Sequence, residues 1–134
     1  MAAVVGHHFW GLKQYTKDIP PGWRPYSYPL REYTDLLSIW GKLTALEESR
    51  LGPAIVSRLE GNALKIAIAF VVHRRQADGT FVEFRGADAI SLVRQDAEFD
   101  VNTGLEINPV QPSGVNLLLD KLADVYALDD QDKA

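Results

Sequence analysis

Apolar residues recur at three- and four-residue steps through Leu30, Tyr33, Leu36, Leu37, Trp40 and Leu43, with Arg31, Glu32, Asp35 and Lys42 falling between them. This period predicts an amphipathic helix over residues 29–43. Pro29 suits its first turn, where a missing N–H leaves no intrahelical partner unsatisfied. A second stripe, Val115, Leu118, Leu119, Leu122, Val125 and Tyr126, predicts a closing helix after the Pro112-Ser113-Gly114 turn, with Ser113 as its N-cap.

Between these two anchors the signals are shorter. Thr44-Ala45-Leu46-Glu47 has the spacing of a capping box, so a helical turn is expected to start there. Gly52-Pro53 is expected to interrupt it, and Pro53 to open a new segment carrying Ile55, Val56 and Leu59 that Gly61 closes. Residues 62–72 fit a buried helix or a buried strand, and a helix as far as about Phe70 is the favoured reading. Asp78-Gly79 between residues 73–76 and 80–84 predicts a tight β-hairpin. Ile90, Leu92 and Val93 predict a short helix over residues 87–94 with Asp88 as a candidate cap. Asn102-Thr103-Gly104 predicts a second hairpin or ordered loop joining residues 98–101 to 105–107.

Residues 1–27 show no sustained period and contain Pro20, Pro21, Gly22 and Pro25, so an extended arm is expected there. Its aromatics, Phe9, Trp10, Tyr15, Trp23 and Tyr26, are too apolar to leave all in water, and some are expected to pack back on the body. The organisation expected is an arm over residues 1–27, a helical domain over 28–127 and a fraying acidic tail over 128–134. The fold class is mainly α, a helical bundle with one or two short β-hairpins.

Composition sets limits on function. At 134 residues, 46% hydrophobic and 24% charged, the chain has the size and core content of one globular domain. Without cysteine it has no disulfide framework, no thiolate nucleophile and no Cys-containing zinc site. The longest apolar run, residues 63–72 broken by Lys65, is about half the roughly 20 residues a membrane helix needs. The start, Met-Ala-Ala-Val-Val, lacks a basic leader pattern, and a cytoplasmic location without membrane partner is expected. Residues 1–94 hold 12 Lys/Arg against 9 Asp/Glu, whereas residues 95–134 hold 2 against 9. That distribution offers no dense basic face for phosphates, so RNA contact is expected to be weak or indirect.

Candidate chemistry is sparse. His7 and His8 are adjacent in the arm, and with the distant His73 they lack the fixed third ligand of a zinc site. Glu47 and Glu48 sit where a helix start welcomes acids, which makes a dipole role a better reading than a catalytic carboxylate pair. Ser49, Ser57, Ser91 and Ser113 have no nucleophile-elbow context, and no Gly-rich phosphate loop occurs. No enzyme activity, cofactor, metal or small-molecule substrate is therefore expected. Arg74 and Arg75, with Arg85 across the hairpin, form one local basic cluster, a candidate contact for RNA or an acidic partner.

Residues 21–70 and 112–132 resemble the capsid N-terminal region of retrotransposon Gag-like polyproteins, copia-type and of the kind found in dinoflagellate algae. The resemblance lies in Gly22-Trp23-Arg24-Pro25 leading to a helix with Trp40, the Glu47, Glu48 and Arg50 link, and the Leu59-Glu60-Gly61-Asn62-Ala63 step. It lies also in the final Ser113 to Tyr126 pattern. The chain departs from that family in lacking a second capsid half and a CCHC zinc knuckle. The resemblance implies a bundle like a capsid N-terminal domain and a structural protein that self-assembles weakly into a particle around element RNA, with no catalytic residue to carry over. Arg31, Glu32 and Asp35, left on the outer face of the first helix, are its candidate assembly contacts. A second reading is a helical adaptor, a captured Gag remnant binding a host partner. A third, a small-molecule enzyme or binder with the arm as lid, needs a pocket of roughly 300 Å³ with convergent polar groups.

Overall fold

The computed structural model describes residues 18–126. Five helices are seen there: α1 (Leu30–Leu43), α2 (Glu48–Val56), α3 (Asn62–Ile68), α4 (Gly86–Ile90) and α5 (Gly114–Tyr126). Two antiparallel hairpins complete the described fold, β1 (Val71–Arg75) with β2 (Phe81–Arg85), and β3 (Glu98–Phe99) with β4 (Glu106–Asn108). No described helix is long and apolar enough to cross a membrane.

Helix α1 follows its sequence period: Leu30, Tyr33, Leu37 and Trp40 are buried on one face. Leu36 and Leu43, counted with them in the sequence pattern, instead lie on the exposed side. Helix α5 contributes Leu118, Leu122 and Tyr126 to the same core, and its N-terminus is capped as expected, the Asn116 N–H donating to Ser113 Oγ at 3.1 Å. Ile55 and Leu59, Ala63 and Ala67, and Ile90 fill the space between the two long helices.

Trp23 belongs to that core. Its ring is 2% exposed, stacks on Tyr33 with centroids 5.7 Å apart and meets Tyr126 edge-on at 5.3 Å. Backbone bonds hold it in place, because the Trp23 N–H donates to Arg58 O and the Glu60 N–H donates to Trp23 O. Its indole N–H also finds the Tyr28 carbonyl at 2.9 Å. Tyr26, by contrast, is largely exposed. Phe9, Trp10 and Tyr15, the histidines His7 and His8, and the acidic tail lie outside the described residues.

Several local expectations need correction. The capping box does not form: Thr44 ends α1, its N–H donating to Trp40 O, and its hydroxyl accepts from the Leu46 N–H two residues on. Glu47 takes the N-cap position of α2 without a side-chain cap bond, so the Thr-x-x-Glu spacing falls in the link rather than in a first turn. Gly52-Pro53 does not divide the chain, since α2 runs through both. The proline removes one backbone donor, but burial of Ile55 and Gly52 against the core holds the helix together. Residues 62–72 resolve into both options, helix to Ile68 and strand from Val71. Helix α4 is shorter than expected and starts at Gly86, which leaves Asp88 inside its first turn and not at its cap.

The first hairpin forms around Asp78-Gly79, with Gly79 at φ 89° and Asp78 Oδ1 accepting from the Thr80 N–H at 3.0 Å. The Asp78 carboxyl is held below its usual range first by its side-chain hydrogen bond from Thr80 and then by the backbone bond from that residue. Register pairs Val71 with Arg85 and Arg75 with Phe81. The second hairpin is short and irregular, with a register shift between Glu98 and Phe99.

Helix α4 is the hub, packing on α2, α3, α5 and both strands of the first hairpin. Two glycines permit this. A Cβ on Gly52 would lie 2.3 Å from Ile90 O, and one on Gly114 would lie 2.0 Å from Ala89 O. The end of α4 is thus clasped between α2 and the start of α5 at backbone contact.

The Tyr33 hydroxyl is buried in this core without a hydrogen-bond partner. Burial, and next the neighbouring Tyr28, push its pKa well above the usual phenol value. Stability does not depend on pH through this phenol below the unfolded pKa near 10 and falls as pH rises beyond it, because the unfolded phenol ionises first. Tyr33→Phe removes an unsatisfied polar atom and keeps the ring stack, so it is expected to raise stability by about 1 kcal/mol. Urea denaturation of the two proteins checks this, and a loss of stability would mean that the hydroxyl has an acceptor.

Candidate interaction surfaces

The outer face of α1 is the first candidate. Leu36, Ile39 and Leu43 are 39%, 57% and 62% exposed, and with Glu32 they occupy positions i, i+4, i+7 and i+11 of one helix stripe. Arg31, Asp35 and Lys42 are exposed beside it. Of the three assembly contacts expected from sequence, Glu32 lies in this stripe while Arg31 and Asp35 flank it. The apolar part was hidden in the sequence because Leu36 and Leu43 also fit the core period, whereas Ile39 carried no signal of its own.

The basic cluster is not one surface. Arg74 is buried, and its Nη2 donates to Pro112 O at 2.9 Å. Burial pulls its pKa down from the ordinary arginine value, yet the guanidinium stays charged near neutral pH. Arg75 is half-buried and tied to Gln111, its N–H donating to Oε1 at 2.8 Å while Gln111 Nε2 donates to Arg75 O. Arg85 is exposed and pairs with Glu83 at 2.9 Å. The register sets Arg75 and Arg85 at opposite ends of the hairpin, roughly 13 Å apart along the strands. Alternation of side chains in β1 turns Arg74 inward with Val72, which divides a cluster that is contiguous in sequence.

A cleft of about 290 Å³ opens between α1, α2 and α5, lined by Leu37, Trp40, Leu51, Ile55, Val115 and Leu119 with Glu48 at its edge. Its volume lies at the lower end of ligand pockets. Among its described lining residues Glu48 is the one ionisable group. Thr34 donates to Arg31 O and Ser113 accepts from Asn116, so these hydroxyls are engaged in their own helices. The indole Nε1–H of Trp40 is buried without an acceptor. His73 stands apart on the hairpin, 3.5 Å from Glu83. No group of three or more metal-ligating side chains is assembled among the described residues.

No family model, curated protein or solved structure matches this chain.

Proposed function

We propose that this domain is a non-catalytic assembly module that associates weakly with copies of itself through the outer face of α1, in the manner of the Gag-like capsid domains its sequence resembles. The carrying observation is the exposed stripe of Leu36, Ile39 and Leu43, placed on a helix whose opposite face is already buried in the core. Charge complements the stripe. Arg31, Glu32 and Asp35 lie toward one end of α1, a net acidic end, and Lys42 toward the other, so two copies paired antiparallel about a two-fold axis set Glu32 of one beside Lys42 of the other. Such a contact is small, and assemblies built from small contacts gain strength by multiplicity.

Sedimentation across a concentration series tests this reading. The wild-type chain is expected to self-associate as concentration rises, and Ile39→Asp is expected to remain monomeric with an unchanged thermal midpoint, because that side chain is mostly in solvent. If the wild type stays monomeric at about 1 mM while Ile39→Asp abolishes binding to a different protein, α1 serves a partner in the adaptor manner and self-assembly is excluded.

A further inference from the structure

The second hairpin carries four large apolar side chains that stand in solvent: Phe99, Val101, Leu105 and Ile107 are 57%, 96%, 69% and 59% exposed. β3 and β4 pack chiefly on each other, and neither edge of their ladder pairs with another strand among the described residues. Single apolar residues scattered over a surface are ordinary, but four on one hairpin form a patch of the kind that marks an interface. The hairpin is also firmly built. At its root the Gln95 and Gln111 backbones exchange N–H···O bonds at 2.9 and 3.0 Å, and the Gln111 side chain is tied to Arg75. At its tip the Asp100 N–H donates to Leu105 O and the Gly104 N–H to Asp100 O, both at 2.8 Å. A backbone fixed in this way presents its side chains to a partner at little ordering cost.

Charge decides what kind of partner. Residues 95–111 hold Asp96, Glu98, Asp100 and Glu106 and no Lys or Arg. Asp96 pairs with Arg94, whereas the other three carboxylates meet no cation among the described residues. They alternate with the apolar side chains, as Glu98-Phe99-Asp100-Val101 on one arm and Leu105-Glu106-Ile107 on the other. Such an acidic surface repels nucleic acid and the anionic leaflet of a membrane. A second copy is a poor match as well, because residues 18–94 hold 10 Lys/Arg against 9 Asp/Glu, and Arg24, Arg85 and Arg94 already have carboxylate partners.

We propose that the second hairpin is the docking surface for a basic protein partner, which lays an extended segment of alternating apolar and Lys/Arg residues along it. Backbone bonds to an open edge of the ladder hold that segment in line. Its apolar side chains cover those of the hairpin, and its cations meet Glu98, Asp100 and Glu106, so the hairpin's own alternation is answered with the opposite charge. The surface shares no residue with the α1 stripe, so either can fail without the other.

The test is an NMR titration of the whole chain with Ac-Lys-Val-Lys-Val-Lys-NH2, its charge-reversed counterpart Ac-Glu-Val-Glu-Val-Glu-NH2, and vesicles of phosphatidylcholine with phosphatidylserine. The basic peptide is expected to shift the Phe99, Val101, Leu105 and Ile107 amides saturably, and the acidic peptide to bind roughly tenfold or more weakly. Leu105→Asn is expected to keep the wild-type thermal midpoint, because that side chain is mostly in solvent, and to weaken the basic peptide about threefold or more. Its sedimentation is expected to match that of the wild type at every concentration. Should that variant fail to fold, the comparison of the two peptides on the wild type still decides. Equal binding of both peptides, no saturable shift with the basic one, shifts confined to other elements, or undiminished binding by folded Leu105→Asn would each overturn the proposal. Vesicles that broaden the same amides while the peptide does not shift them would assign the hairpin to a membrane, and weaker self-association of folded Leu105→Asn would assign it to a second copy; either result overturns the proposal too.

Discussion

Trp23→Ala is expected to lower the unfolding free energy by about 3–5 kcal/mol, a large part of the stability of a domain this size. The ring is nearly wholly buried, stacks on Tyr33, meets Tyr126 edge-on and donates to Tyr28 O. Truncation therefore opens a cavity among aromatics and orphans a carbonyl at once. Because Trp23 is bonded through its backbone to Arg58 and Glu60, the loss should also loosen the link between the segment before α1 and the end of α2. Trp40→Ala removes a slightly less buried tryptophan that makes no indole hydrogen bond, and is expected at the lower end of the same range. Urea denaturation followed by circular dichroism measures both. A loss under about 1 kcal/mol for Trp23→Ala would mean that the ring is peripheral.

Adding a single methyl at Gly52 or Gly114 is expected to cost about 3 kcal/mol or more, at the upper end of overpacking effects. The reason is the nature of the obstacle. The new Cβ at Gly114 would meet Ala89 O at 2.0 Å and Ile90 Cα at 2.6 Å, and that at Gly52 would meet Ile90 O at 2.3 Å. These are backbone atoms of the hub helix, which cannot turn aside as a side chain can. Gly41 in α1 is the control, since a Cβ there meets nothing within 4 Å. Gly41→Ala is expected to stabilise by about 0.5–1 kcal/mol through helix propensity alone. Equal stability of Gly52→Ala and the wild type would show that α2 and α4 are not clasped. Because Gly52 and Gly114 press on the same residue, the double substitution is expected to be non-additive.

Local signals were enough to read the two long helices and the first hairpin. The buried residues of α1 and α5 follow a 3.6-residue period, Ser113 caps as its position implies, and Asp78-Gly79 supplies the turn that β1 and β2 require. Each of these rests on interactions within a few residues, which is why sequence carries them. The candidate surfaces were legible only in part. Glu32 was visible as an outward charge, but the wide apolar pattern of α1 does not say which Leu faces the core, and the neighbouring elements leave Leu36 and Leu43 outside.

Tertiary packing decided the rest. Gly52-Pro53 reads as a break by local rules, yet contact with Ile90 makes Gly52 a packing residue within α2 and holds a helix across Pro53. Thr44 and Glu47 have capping-box spacing, but α1 extends to Leu43 and claims Thr44 as its own end. Trp23 reads as part of an irregular arm because its partners, Arg58, Tyr33 and Tyr126, are distant in sequence. Arg74 shows the limit most directly. An arginine between polar neighbours reads as a surface cation, and only the register of β1 against β2 and the arrival of Pro112 turn it inward. A side chain's environment there depends on which remote segment covers its face of the strand, and hydrophobic periodicity contains no information about that segment.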